Sequence, residues 1–287
     1  MPYVLRTVSA GRVVERKKMY TARFGGKGLN HRSMNFGDTK ETQAKVNERK
    51  AEERLRWKLN ANFTESDLHV VLHYNDKPQE LEQVIRDGEQ FRRVLRNECS
   101  KRGIVLKYIA CIETKRMTNP HHHVILPDMD IHIITRAWEK VTGGAGHASI
   151  KPLDSRGTHA ELAAYLIKET RSTAKRLSEG QKNKKRFSCS KNLIMPEPTY
   201  RVIPAESWRK EPRVQPGWEL YKFKDGSTVR TGYHEISGYA FQEYFEIRRE
   251  EPKWRNVFSA AGTGRRIRST STTSSAARTG RKAKNTS

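Results

Sequence analysis

Three consecutive histidines, His121, His122 and His123, stand in the stretch TNPHHHVILPD, between a turn and an apolar run. Imidazole is a common metal ligand, so the question is how the chain presents three of them. The run HHHVILP reads as a β-strand, in which side chains alternate between faces. His121 and His123 therefore share one face, and His122 takes the other. The preceding turn, RMTNP, makes a hairpin with the strand IVLKYIACIET, which carries Glu113. An antiparallel neighbour can set that carboxylate beside the two imidazoles. The product is a two-histidine, one-carboxylate group with open positions for substrate oxygens. Imidazoles alone suit Zn, Cu or Ni; a carboxylate, with water and phosphate filling the rest, admits Mn and Mg. The plain alternative is a histidine-rich strand that holds no metal. Zinc hydrolysis of a small substrate leaves the charge of the chain unexplained, and the helical HExxH pattern is absent. Asp128, Asp130 and His132 have the chemistry of substitute ligands but fall to the loop and cap of the next helix. His147 and His159 fall to surface or cap positions, and His122 to packing behind the sheet.

A second group follows in THAELAAYLIKET. Thr158 with Glu161 three residues on reads as a capping box. At helical spacing Leu162, Ala163, Leu166 and Ile167 form an apolar face, while Glu161, Tyr165, Lys168 and Ser172 form another stripe. Tyr165 is thus outside the core face, with Lys168 one turn later on the same side. A phenol beside an ammonium is a plausible nucleophile pair, because the cation favours phenolate and can hold a phosphate oxygen. Taken alone, Tyr-x-x-Lys is an ordinary boundary tyrosine beside a solvated lysine. The histidine strand upstream is what raises it to a candidate.

The elements that must position these groups have a clear order. DLHVVLHY reads as a strand, and QELEQVIRDGEQFRRVLRNECSKRG as a helix from about Pro78, closed by Gly103. Its candidate core residues are Leu81, Val84, Ile85, Phe91, Val94 and Leu95. Then come the two strands above, the helix IHIITRAWEKV, the strand HASIKPL and the Tyr165 helix. Strand, helix, strand, strand, helix, strand, helix predicts an α+β fold. It is a split βαβ, ferredoxin-like antiparallel sheet covered by helices. Residues 61–195 hold this core. Residues 1–60 form a basic N-terminal segment, with short strands in KKMYTARFG and HRSMNFG and an exposed basic helix from about Lys40 to Asn60, capped by Thr39. Residues 196–254 form a β-rich extension with a hairpin around Asp225-Gly226. Residues 255–287 contain no acidic residue and many Ser and Thr, and read as a disordered cationic tail.

The chain has 287 residues and a net charge of +24, with only 35% hydrophobic residues. An excess that large, spread along the whole chain, points to a polyanionic partner, most simply nucleic acid. Three cysteines with no CxxC pair suggest neither a disulfide framework nor a cysteine zinc site, and fit a reducing cytosol. No apolar run approaches a membrane span, the start lacks a signal-peptide core, and no GxxxxGK[ST] phosphate loop is present. Trp57 and Trp138 are read as packing residues rather than base-stacking ones.

Glu113, the strand HHHVIL with His121 and His123, and the later helix YLIKE together resemble the three elements of HUH-type single-strand endonucleases. These are the initiators of rolling-circle replication and their relaxase and transposase relatives. The resemblance covers roughly residues 62–192. The flanks NFTESDLHVVLHY and KKRFSCSKNL are similar to initiators of bacterial plasmids, phages and integrative elements. The family motif has a hydrophobic residue between its histidines. His122 departs from that, which keeps the face assignment but leaves open a register in which His122 is a ligand. A second catalytic tyrosine is missing, and Lys168 stands where a single-tyrosine enzyme would have lysine. No helicase domain follows.

The resemblance implies a metal-dependent nickase and ligase. It would carry Mg or Mn on Glu113, His121 and His123, with Tyr165 as nucleophile and Lys168 steadying the phosphate. A 5′-phosphotyrosine intermediate would leave a free 3′-OH as primer. The implied partners are a single-stranded DNA origin and the host helicase and polymerase, in a bacterial host cytoplasm, with no membrane. A relaxase or transposase with the same chemistry, and a non-enzymatic DNA- or RNA-binding protein, are the competing readings.

Overall fold

A computed structural model describes residues 3–20, 40–76, 80–114, 117–153, 156–171, 173, 186–204, 207–234 and 238–249. The chain divides into a unit of residues 1–249 and a unit of residues 250–287, and the second lies wholly outside the described residues. The expected tail, the strand in HRSMNFG, the Thr39 cap and the side chain of Ser172 also lie outside them.

The expected α+β order is present. Strand β3 (Leu68–Tyr74) leads into helix α2 (Leu81–Lys101), then β4 (Ile109–Glu113), β5 (His121–Leu126), α3 (Ile131–Thr142), β6 (Gly146–Pro152) and α4 (Ala160–Glu169). With β7 (Ser188–Cys189) they form a five-stranded sheet in the order β6-β3-β5-β4-β7, antiparallel throughout. The first four strands follow the ferredoxin-like order. β5 is central and buried at every position, so its inward and outward residues each meet a core. On one face Val70, Leu72, Val124 and Leu126 pack with Phe91 and Leu95 of α2 and Ile134 and Trp138 of α3. On the other face Ile109, Cys111 and Ile125 pack with Leu166 and Ile167 of α4 and with Leu55 and Leu59 of helix α1 (Lys40–Asn62). Trp138 and Trp57 are both buried, as packing residues are.

Helix α1 corrects the expectation of an exposed helix. In its first half Glu41, Gln43, Ala44, Lys45 and Asn47 face solvent, but Leu55, Arg56, Trp57, Leu59 and Asn60 are buried. Its charges looked like a solvated face because sequence does not display partners across space. Arg56 meets Glu15 at 2.6 Å, Trp57 Nε1 donates to the same carboxylate at 2.8 Å, and Glu53 receives Arg6 at 2.8 Å. Paired in this way, charged groups can be buried at tolerable cost.

Those partners belong to a second sheet, assembled from both ends of the described chain. β1 (Tyr3–Ala10) and β2 (Val13–Tyr20) join β8 (Thr199–Val202), β9 (Trp218–Leu220), β10 (Arg230–Tyr233) and β11 (Ala240–Arg248). The N-terminal segment and the C-terminal extension thus contribute strands to one sheet. The hairpin expected around Asp225-Gly226 does not form. β9 and β10 pair end to end along β11 rather than with each other. Between them a turn holds at Gly226, at φ +81°, but Tyr221 and Phe223 are drawn into a cluster with Val13, Phe245 and Ile247. Burial of two aromatic side chains outweighs one short strand pairing. No helix among the described residues is long and apolar enough to cross a membrane.

Candidate metal centre and nucleophile

Strand register brings the candidate ligands together. Glu113 lies directly opposite His121 on β5, and Cys111 opposite His123. Alternation puts Glu113, His121 and His123 on the α4 side of the sheet, all three buried. Glu113 Oε2 is 2.9 Å from His121 Nε2 and 3.1 Å from His123 Nε2. His121 Nδ1 lies 3.0 Å from the Asn119 carbonyl, which can only accept, so Nδ1 carries the proton. In the neutral ring, Nε2 then presents a lone pair to a carboxylate oxygen, an arrangement that calls for a proton or a cation between them. Adjacent donors on an octahedral ion with bonds of about 2.1 Å stand about 3.0 Å apart. The donor set and its spacing therefore fit a divalent ion held by Glu113, His121 and His123.

The other nitrogen of His123 is held from behind. His123 Nδ1 is 3.1 Å from His69 Nε2, and the two rings stack with centroids 5.3 Å apart. Burial, then His123 and Lys151, push His69 down to about 4, so at neutral pH it is an uncharged partner. Such outer hydrogen bonds fix the tautomer and direction of a ligating imidazole. His73 continues the row, its ring 5.4 Å from that of His121 and 4.8 Å from that of His147. His69 and His73 were not singled out from sequence. The signal was in DLHVVLHY, where two histidines four residues apart share a strand face; what was missing was the register that sets that face beside β5.

His122 points the other way, which closes the alternative register. Its Nε2 lies 3.0 Å from the Tyr74 hydroxyl, and its ring stands edge-on to Trp138 with centroids 5.5 Å apart. Gly88 of α2 makes the space, since a Cβ there would come within 2.7 Å of His122 Cε1. Burial, then Arg92, pushes His122 down to about 3, so it is a neutral core residue. Asp130 caps α3 by accepting from His132 N at 2.9 Å, as the loop-and-cap assignment expects. His147 is exposed and bonded to Asn75. His159 is the N-cap residue of α4 and is buried. The capping box expected from Thr158 and Glu161 is absent: Thr158 Oγ1 bonds instead to the Asn60 side chain, and Glu161 to Arg156 at 2.6 Å and Lys224 at 3.2 Å. Tertiary partners from α1 and the second sheet outcompete the local cap.

α4 carries Tyr165 over this centre. Ala163, Leu166 and Ile167 face the core, and Tyr165 is 43% exposed, enough for its hydroxyl to be reached from solvent. Its ring stands edge-on to His123, with centroids 5.5 Å apart at 90°. Burial, then Glu113 and Glu169, hold the phenol above its ordinary range. This corrects the expected electrostatics: burial, reinforced by the neighbouring carboxylates, sets the direction, and the free chain keeps the phenol protonated. Lys168 is exposed and shares with Tyr165 the wall of a cavity of about 350 Å³. Across that cavity lie Phe223, Lys224 and Arg230 of the second sheet and its turn. Glu113, His121 and His123 lie buried beside this cavity rather than in its wall, and the Tyr165 ring, in edge contact with His123, links the two. Glu113, His121 and His123 are candidate ligands for a cation, and Tyr165 is a candidate nucleophile beside them.

Residues 67–173 match the model of the family described as Replication-associated protein ORF2/G2P. The matched stretch runs from the start of β3 to just past the end of α4, and so contains every candidate residue named above. No curated protein and no solved structure matches the chain. A match over this stretch is consistent with a replication initiator.

Proposed function

We propose that this protein starts rolling-circle replication by nicking and rejoining single-stranded DNA through Tyr165. The observation that carries the reading is the position of Tyr165, 5.5 Å from His123 between ring centroids, inside a stretch similar to replication-associated proteins. A Mg or Mn ion on Glu113, His121 and His123 would supply Lewis-acid polarisation of the scissile phosphate. Tyr165 Oη attacks phosphorus. The Oη–P bond forms and the P–O3′ bond breaks. The 3′ oxygen leaves with the electron pair and takes up a proton, while the phenolic proton passes to solvent. The 5′ end stays on the enzyme as a phosphotyrosine, and the free 3′-OH serves as a primer for a host polymerase, with a host helicase opening the duplex. Because the phosphodiester is exchanged rather than hydrolysed, attack by a 3′-OH reverses the step without ATP. Lys168 steadies the charge on the phosphate oxygens during both steps. His69 and Asn119 hold the two imidazoles in direction. The excess of +24 supplies salt-sensitive affinity for the phosphate backbone.

The test is to incubate the full chain with candidate single-stranded origins, with and without Mn or Mg, and resolve the products under denaturing conditions. A metal-dependent covalent protein–DNA adduct is expected. Tight binding with no adduct under any metal or origin would favour a non-enzymatic nucleic-acid-binding protein.

A further inference from the structure

The second sheet has an outer face, turned away from α1 and α4. Glu15 and Lys17 point toward α1, where Glu15 meets Arg56 and Lys17 is drawn to Glu243 of β11 and to Glu53; by alternation Arg16 and Lys18 point outward. Between this face and the segment 207–215 lies a groove of about 290 Å³, lined among others by Arg16, Lys18, Arg201, Arg209, Arg213 and Glu246. Arg16 and Glu246 neutralise one another at 2.6 Å. Lys18 is buried and donates to the Ser207 carbonyl. Arg201, Arg209 and Arg213 are exposed and form no ion pair with any described residue. Burial, then the neighbouring Arg209, push Lys18 below the usual amine range. The one carboxylate among these lining residues is already engaged, so an incoming anion meets three exposed arginines with no carboxylate partner among the described residues.

We propose that this outer groove holds backbone phosphates of duplex DNA beside the strand that is nicked, a second contact on the opposite side of the sheet from Tyr165. That the anion is DNA rests on the function proposed above. That it is duplex rests on what lines the groove. Sites for single strands interleave cations with open aromatic platforms on which bases stack. Here the lining aromatic, Tyr244, is 6% exposed and offers none. Cations without a stacking surface read the backbone alone.

The experiment uses the full chain and the triple variant R201Q/R209Q/R213Q, all three positions being exposed. Affinity for labelled duplex and for labelled single strand is measured against salt, and adduct formation on a short single-stranded origin is followed in the same preparations. The duplex slope of log affinity against log salt should fall by about 2 to 3, from about 0.9 for each lost phosphate contact. The single-strand slope and adduct yield should stay unchanged. The variant R201K/R209K/R213K should keep the parental duplex slope. An unchanged duplex slope in the Gln variant overturns the proposal. So does an equal loss on single strand and duplex, or a Lys variant as weak as the Gln one. Absence of any adduct from the parental chain would overturn the nicking reading instead, while the duplex slope would still decide this one.

Discussion

The two faces of β5 put the same residue type to opposite uses. His121 and His123 look toward α4, where a carboxylate on the neighbouring strand, the Asn119 carbonyl that accepts from His121, and the His69 ring bonded to His123 fix each ring. His122 looks toward α2 and α3, where Tyr74, Trp138 and the gap at Gly88 enclose it. One residue of translation along a strand therefore separates a candidate ligand from a core residue. The difference lies in what faces each ring, not in the imidazole. A convergent carboxylate makes a candidate cation site; a hydroxyl and an indole make a packed, neutral interior.

The comparison breaks most visibly if a ligand is removed. Glu113→Ala, His121→Ala and His123→Ala should each weaken Mn binding by on the order of a hundredfold or more, and abolish adduct formation, because loss of a ligand exceeds loss of its supporting partner. Calorimetric titration with Mn checks this. His122→Ala should do the reverse. It empties a buried site and leaves the Tyr74 hydroxyl without this partner, so thermal or urea unfolding should show a loss of about 2 to 4 kcal/mol. Metal affinity of the remaining folded protein should stay near parental; if it falls as far as for His121→Ala, the two faces are not separate. A smaller effect sharpens the comparison: His69→Ala should lower metal affinity by about 10- to 100-fold, through the freed His123 ring, with stability little changed. His69→Gln, which can still bond to His123 Nδ1, should recover part of that loss.

Much of the five-stranded sheet was legible because strand alternation and helix spacing are local and strong in DLHVVLHY, HHHVIL and AELAAYLIKE. The hairpin turn placed Glu113 opposite His121 for the same reason. What escaped were properties that depend on distant partners. Arg56 and Trp57 are buried only because Glu15 reaches them from another sheet. Thr158 is spent on Asn60 rather than on a cap. The support of His123 by His69 needed a register between strands 54 residues apart. The direction of the Tyr165 shift turned first on burial and then on Glu113 and Glu169, neither of which a helical wheel supplies.

The central claim is that Tyr165 is the nucleophile of this centre, and peptide mapping of a trapped adduct tests it most directly. The full chain is incubated with a single-stranded origin and Mn, denatured and digested, and the nucleotide-bearing peptide is sequenced by mass spectrometry. The nucleotide should sit on the peptide containing AAYLIKE, at Tyr165, and Tyr165→Phe should give no adduct while binding DNA with near-parental affinity, since affinity comes from many cationic contacts. A nucleotide on Tyr108, Tyr200 or any other tyrosine, or an undiminished adduct from Tyr165→Phe, would contradict the account.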